Sequence, residues 1–497
     1  MRLQVPDIRL RAVNQAPLRD GDFVLYWMLA ARRTHFNFAL DRAVERACEL
    51  GKPLLVFEPL RVDHPWASER LHAFVLQGMR DNARRCARAG VAYYPYVEPK
   101  PGAARGLLNA LAARASLVVT DDQAGFFLPR MISAAGEKLG VRLEAVDGVG
   151  LLPVRATDRA FARAVDFRRF LQRNLLPHLA AMPRRDPLRL GRDLPRLAEP
   201  PAEVLARFPA ASPALLSGAA PELARLPFAA SVAAGALPGG PEAGNERLAR
   251  FIEHGLSHYD DRRHPDLDGA SGLSPYLHFG HVGAHEVWRA LALHEGWSAD
   301  AVSERAVGQK ERFWGLSAQA EAFVDELVTW RELGHNFCAH RPDFDQYDSL
   351  PAWARATLEA HASDPRPIAY SLEQLEGALT HDPVWNAAQR QLCREGVMHN
   401  YLRMLWGKKI LEWSASPREA LSRMIQLNNK YALDGRDPNS YSGIFWCLGR
   451  YDRPWGPERK IFGKIRFMSS DSAAKKLRMK KYLARFGASP RESEAEL

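Results

Sequence analysis

The sequence predicts two unlike halves: an α/β domain on a parallel, Rossmann-like sheet, then an all-α domain. Three observations carry this. Between residues 22 and 155, short apolar runs alternate with amphipathic stretches. From residue 246 the apolar positions recur at helical spacing almost to the end. No apolar run approaches the roughly 20 residues that span a bilayer. The chain has 497 residues, 46% hydrophobic and 25% charged, which suits a globular protein of at least two bodies.

Taken in order, strands are expected over 23–28, 53–57, 91–96, 117–120 and 141–146. Helices are expected over 36–50, 68–89, 103–115 and 128–139, the first two stopped by Gly51 and Gly90. Such alternation gives a parallel sheet covered on both faces, with ligands usually at the carboxyl ends of the strands. The domain contains no Gly-x-Gly-x-x-Gly and no Walker loop, which argues against a standard dinucleotide or nucleoside-triphosphate site. The expected division is 1–180 for this domain, 181–245 for an Ala/Pro-rich connection, 246–487 for the helical domain and 488–497 for a polar, frayed tail. The connection carries many Leu and Phe, so it should lie over the body of the protein. In the second half, helices are expected over 246–257, 281–294, 321–337, 350–360, 372–378, 385–396, 398–412 and 417–427.

The start of the chain, through Pro6, lacks the apolar block of a signal peptide, so a cytoplasmic protein is expected. Cys48, Cys86, Cys338, Cys393 and Cys447 include no Cys-x-x-Cys and no zinc spacing; they read as buried thiols, with no metal expected. The net charge of +10 is concentrated near the end. Residues 450–485 hold Arg450, Arg453, Arg459, Lys460, Lys464, Arg466, Lys475, Lys476, Arg478, Lys480, Lys481 and Arg485, against Asp452, Glu458 and Asp471 alone. A surface of one sign attracts a polyanion, most often nucleic acid; the plain alternative is a solvated tail.

Four motifs could carry chemistry. Tyr259 is followed by a run of small residues, Gly269-Ala270-Ser271-Gly272-Leu273-Ser274, entering a helix at Pro275. This suits a phosphate cradle, although taken alone it reads as a helix start with Ser274 at the cap. Trp406 and Trp413 are seven residues apart, on one face of a helix, and Trp385 could complete a row able to pass single electrons. An apolar core stripe has the same spacing. Glu326 and Trp330 stand four apart, a carboxylate beside an indole, which suits a planar hydrogen-bonding ligand such as a base. Arg403 and Asp434 could form an ion pair.

With these in place, the chain resembles the photolyase/cryptochrome family, and within it the class II cyclobutane pyrimidine dimer photolyases. The matching strings include Leu273-Ser274-Pro275-Tyr276-Leu277-His278-Phe279-Gly280, Glu326-Leu327-Val328-Thr329-Trp330-Arg331-Glu332-Leu333, Trp406-Gly407-Lys408-Lys409-Ile410-Leu411-Glu412-Trp413 and Asp434-Gly435-Arg436-Asp437-Pro438-Asn439. They run in order over nearly the whole chain.

The resemblance implies that the helical domain binds FAD, active as the reduced anion FADH⁻. Tyr259, Ser271, Gly272, Leu273 and Ser274 would hold its diphosphate, and Arg403, Asn428 and Asp434 would lie at the flavin. Trp385, Trp406 and Trp413 would feed it electrons, with Trp406 innermost. Glu326, Trp330 and Trp446 would line the lesion pocket, the two indoles stacking on the flipped dimer. The basic region from Arg450 to Arg466, with Arg453 and Arg466, would grip phosphates of double-stranded DNA carrying a pyrimidine dimer. The implied reaction is light-driven DNA repair by a deoxyribodipyrimidine photo-lyase, a monomer. An antenna such as 8-hydroxy-5-deazaflavin could occupy the N-terminal domain, although no signature identifies it. Asn400 stands where class II members commonly carry Gly. Two other readings are weighed: a cryptochrome-like blue-light receptor without repair activity, and repair of (6-4) photoproducts, which needs a pocket histidine such as His399 or His278. Retention of Glu326, Trp330, Trp446 and the basic region favours dimer repair.

Overall fold

The computed structural model describes residues 5–228 and 231–487. The expected tail, 488–497, and the first four residues of the start lie outside them. One compact unit is drawn from Met1–Asp158, Leu171–Ile252 and Gly272–Val302, the other from Arg159–Phe170, Glu253–Ser271 and Ser303–Leu497.

The first unit is built on six strands: β1 (Leu10–Ala12), β2 (Phe23–Trp27), β3 (Leu54–Leu60), β4 (Ala92–Val97), β5 (Ala115–Asp121) and β6 (Leu143–Val146). Their order is β1-β6-β5-β2-β3-β4. All neighbours run parallel except β1, which pairs antiparallel with β6, Leu10 opposite Val146. This edge strand was not expected; three residues are too few to show a period in sequence. The expected α/β fold with a parallel sheet is otherwise present. Alternate residues of β2 serve opposite faces: Phe23, Leu25 and Trp27 join one apolar layer and Val24 and Tyr26 the other. Burial on both sides is why these strands read as continuous apolar runs.

The helices Phe38–Leu50, Glu69–Ala89, Leu107–Arg114 and Leu128–Lys138 cover the sheet. Ser68 caps the second by accepting from Leu71 N. The third starts four residues later than expected, because Gly106 sits at φ 88, a left-handed conformation no helix interior admits. The 181–245 stretch belongs to this unit and folds into short helices, among them Ala202–Arg207, Pro213–Leu216 and Ala220–Leu223. Its Leu188, Val204, Phe208, Leu216 and Leu223 are buried, and Tyr94 donates its hydroxyl to the Phe208 carbonyl.

The strand order reverses between β5 and β2, where doubly wound sheets usually bind ligands. Here Asp121, at the end of β5, accepts the backbone N–H groups of Leu29 (2.7 Å), Ala30 (2.7 Å) and Ala31 (3.1 Å) and the Tyr26 hydroxyl (2.8 Å). An internal carboxylate thus fills the backbone nest that an anion would need.

The second unit is helical. The expected 321–337 helix is α-helical over Ala318–Val324, widens to a π-turn over Asp325–Trp330, and returns to α over Arg331–His340. The expected 246–257 helix begins earlier, at Pro241 in the first unit, and breaks after Arg250 into a π-turn, Phe251–Gly255, and the 3₁₀ segment Leu256–Arg263. Helices that were not expected include Ala164–Asn174, Pro438–Trp446, Ser470–Lys476 and Lys480–Phe486. Of the cysteines, Cys86, Cys338 and Cys447 are buried and Cys393 is half-buried, but Cys48 is exposed, on the outer side of the Phe38–Leu50 helix. No helix among the described residues is long and apolar enough to cross a membrane.

Candidate functional site

The tryptophan row lies on two helices, Pro383–Glu395 and Asn400–Trp413. Asp382 starts the first by accepting from Val384 N (3.1 Å) and Trp385 N (3.0 Å), with Pro383 in the first turn. This cap fixes Trp385, which is 0% exposed. Its indole Nε1 donates to the Trp406 carbonyl at 3.1 Å, and its ring meets Trp413 edge-on at 5.5 Å between centroids. Trp385 therefore touches the Trp413 ring and the Trp406 backbone, two residues about 10 Å apart along one helix. Trp406 Nε1 donates to Gln389 Oε1 at 2.9 Å, so both buried indole N–H groups are satisfied.

Trp413, only 2% exposed, does not reach the surface. Tyr370 packs edge-on against it at 5.2 Å and His381 at 5.5 Å, and Tyr370 is hydrogen-bonded to exposed His381 Nδ1 at 2.6 Å. Tyr370 was not singled out in sequence, because a contact across 43 residues leaves no local signal.

Arg403 lies on the same helix as Trp406 and pairs with Asp434, Nη2 to Oδ1 at 3.0 Å, both side chains about one-seventh exposed (14% and 15%). Asp434 is held by the turn around it. Arg436, buried at φ 68, donates to the carbonyls of Asn429, Ala432 and Leu433 at the end of the Pro417–Tyr431 helix. Burial lowers its guanidinium to about 10. Asp437 then caps the Pro438–Trp446 helix through Asn439 N. Asn428 is buried and donates its amide to Ser440 Oγ at 2.8 Å. Its amide carbonyl is the acceptor it can turn to a ligand. Asn400 is exposed in the first helical turn.

Glu326 and Trp330 fall in the π-turn, where four residues still bring side chains to nearly one face. Burial is the main cause raising the Glu326 carboxyl; Arg262 opposes it and Asp325 adds to it. Trp330 and Trp446, both half-buried, stack on each other at 4.8 Å with planes 15° apart. Both were expected to stack on the flipped dimer; here they stack on each other and form one aromatic ledge.

The cradle residues divide at the border of the two units. Tyr259 and Ser271 belong to the second, where Tyr259 is buried under the Arg262 guanidinium at 4.4 Å. Gly272, Leu273 and Ser274 belong to the first. Gly272 has φ 67, and a Cβ there would stand 2.7 Å from Arg247 Nε. Glycine, left-handed backbone and a guanidinium together suit a phosphate oxygen. Arg247 was not singled out in sequence. Ser274 is the first residue of a five-residue helix, Ser274–His278, rather than its cap, and Leu273 makes no side-chain capping bond.

The basic region separates into two kinds of arginine. Arg450, expected to grip phosphate, is buried at 2% exposure, with its guanidinium 3.7 Å from the Phe445 centroid and a bond of 2.8 Å to the Phe344 carbonyl. It holds the core together. Arg453 and Arg466 are exposed, and both guanidinia rest on Trp455, 4.5 and 5.1 Å from its centroid. The Trp455 indole is itself fixed by donation to Asp452 Oδ1 at 3.0 Å.

Comparison with known proteins agrees with this architecture. No family model matches the chain. Its fold is that of a class III photolyase structure from Agrobacterium tumefaciens, with a TM-score of 0.66 at 17% identity, covering 95% of this chain and 88% of that one. The chain is 32% identical over 480 residues to the deoxyribodipyrimidine photo-lyase of Methanothermobacter thermautotrophicus, spanning 96% of this chain and 97% of that protein. It is 34% identical over 493 residues to the enzyme of the same name from Oryza sativa subsp. japonica, spanning 96% and 90%. The chain belongs to the photolyase family.

Proposed function

We propose that this protein is a class II photolyase that splits cyclobutane pyrimidine dimers in double-stranded DNA. The observation that carries the reading is the buried row Trp406–Trp385–Trp413, with Arg403 on the same helix as Trp406 and paired to Asp434. An apolar core stripe needs neither the hydrogen-bonded indoles nor the adjoining ion pair. FAD, when bound and reduced, supplies light-driven one-electron chemistry, which no side chain provides.

The residues of this chain fit such a cofactor. Gly272 and Ser274, with Arg247 against Gly272, suit the diphosphate, as do Tyr259, Ser271 and Leu273 by family pattern. Arg403 and Asp434 present one charge of each sign to the ring system. Asn428 offers an amide carbonyl to a ring N–H. Trp385, Trp406 and Trp413 relay electrons inward, and Tyr370 continues the row beyond Trp413 toward the surface.

Glu326, whose raised carboxyl holds a proton more readily than an exposed one, hydrogen-bonds the base. The Trp330–Trp446 ledge supports the flipped lesion by stacking, and Arg453 and Arg466 take flanking phosphates. The α/β unit is where an antenna such as 8-hydroxy-5-deazaflavin would sit. The ledge and the exposed arginines favour repair over a purely signalling flavoprotein. The test is to illuminate reduced, FAD-loaded protein with DNA carrying one thymine dimer. Restored thymines are expected; none, with the cofactor bound and reduced, overturns the reading.

A further inference from the structure

Residues 452–466 form a short tongue. Trp455 N donates to the Lys464 carbonyl at 2.9 Å, and Arg459 and Gly463 exchange backbone hydrogen bonds in both directions. Arg453, Arg459, Lys460, Lys464 and Arg466 are exposed on it. Its carboxylates are Asp452, bound to Trp455 Nε1 and the Arg453 backbone, and Glu458.

The tongue rests on the Ala352–Ala360 helix and the turn that follows. Lys464 N donates to Thr357 Oγ1 at 2.9 Å. A Cβ on Gly463 would lie 2.1 Å from that hydroxyl, so only glycine allows this seat. Ile461, at φ 69, donates its N–H to Asp364 Oδ2 at 2.8 Å. Glu458 is fastened by the Thr357 hydroxyl at 3.5 Å and by His361. His361 Nδ1 is 2.6 Å from Asp364 Oδ2 and its Nε2 is 3.1 Å from Glu458 Oε1.

One imidazole facing two carboxylates can donate to both only as the imidazolium. The neutral ring donates to one and turns a lone pair to the other. Asp364 and then Glu458 raise the His361 pKa, and Arg366, beside Asp364, is the nearby cation. Losing the proton removes one bond between turn and tongue. It also leaves Glu458 held by the Thr357 hydroxyl alone, at 3.5 Å, beside the basic face.

We propose that His361, Asp364 and Glu458 form a proton-operated latch that sets the tongue for nucleic acid. With the proton on, the tongue holds Arg453, Arg459, Lys464 and Arg466 ready for phosphates; with it off, the tongue loosens and binding weakens. The binding half of this rests on the DNA-repair reading above. His361 is a positioning residue, since it acts on DNA only through the tongue. The carboxylates it clamps come from segments about 100 residues apart in the chain, joined only by folding.

The test uses the full-length, FAD-loaded protein with two readouts. The first is fluorescence anisotropy on a duplex carrying one thymine dimer, at about pH 6 and about pH 8.5 in constant salt. The second is tryptic cleavage after Arg459 and Lys460, normalised at each pH to a short reference peptide. Wild-type affinity is expected to fall about fivefold across this interval, the size of one modest ionic contact, with faster cleavage at the higher pH. His361→Asn should bind weakly and be cut quickly at both values. Glu458→Gln, an exposed change that does not threaten folding, should shrink the pH step. An equal pH step in both variants, or cleavage indifferent to His361→Asn, overturns the latch. Latch-dependent cleavage without DNA binding at either pH overturns the repair reading and the binding half of the proposal.

Discussion

Trp385→Phe tests the buried row most directly. The indole is fully buried, donates Nε1 to the Trp406 carbonyl and stands edge-on to Trp413. Phenylalanine keeps most of the packing but loses this bond, a cost of about 1 kcal/mol. The Trp406 carbonyl keeps its place in the helix ladder, so the loss stays at the low end. The space left by the missing pyrrole edge adds about 1–2 kcal/mol. A destabilisation of about 2–3 kcal/mol is therefore expected, read as a lowered urea midpoint with an unchanged slope. Phenylalanine is far harder to oxidise than tryptophan, so photoreduction of oxidised FAD should collapse. Repair by enzyme reduced chemically beforehand should remain. Stopped-flow absorbance under illumination measures the first and restoration of thymine the second. Wild-type photoreduction in a folded Trp385→Phe protein would refute the row; an equal loss of both activities would show that Trp385 serves the site in some other way.

Further outcomes follow from the same geometry. Glu326→Gln should lower repair while leaving photoreduction unchanged. Because burial raises the Glu326 carboxyl above its unfolded value, the folded state binds this proton more tightly. Its cost to stability at neutral pH should diminish as pH falls through the raised value, and urea titrations of wild type and variant should converge there. Arg453→Ala and Arg466→Ala should each weaken binding to any duplex and reduce the slope of log affinity against log salt by about 1. Gly272→Ala places a Cβ 2.7 Å from Arg247 Nε at φ 67, a backbone strain of about 1–2 kcal/mol; FAD retention on gel filtration should fall while the fold, followed by circular dichroism, persists.

The sequence alone determined the class of each half. Period-two alternation is imposed by the pleat and burial on both faces imposes apolar runs, so β2 to β6 were legible within a few residues. The helical unit was legible through the helical spacing of its apolar positions, although its Pro438–Trp446 helix was not. The positions of Trp385, Trp406 and Trp413 were legible too, as was the pairing of Arg403 with Asp434.

What the tertiary structure decided depends on contacts between residues far apart in the chain. It put Trp385 against its two partners and Tyr370 beyond Trp413, and it stacked Trp330 on Trp446 across 116 positions. It sorted Arg450 into the core and Arg453 to the surface, although both belong to one basic run: Arg450 is buried against the rings of Phe337 and Phe445, the first of them 113 residues away in the chain. It also turned an Ala/Pro-rich connection into buried cover for the first unit, and brought His361 to Glu458. Local propensity and periodicity are short-range quantities, whereas a site is the meeting of distant side chains, and only the closed chain supplies that.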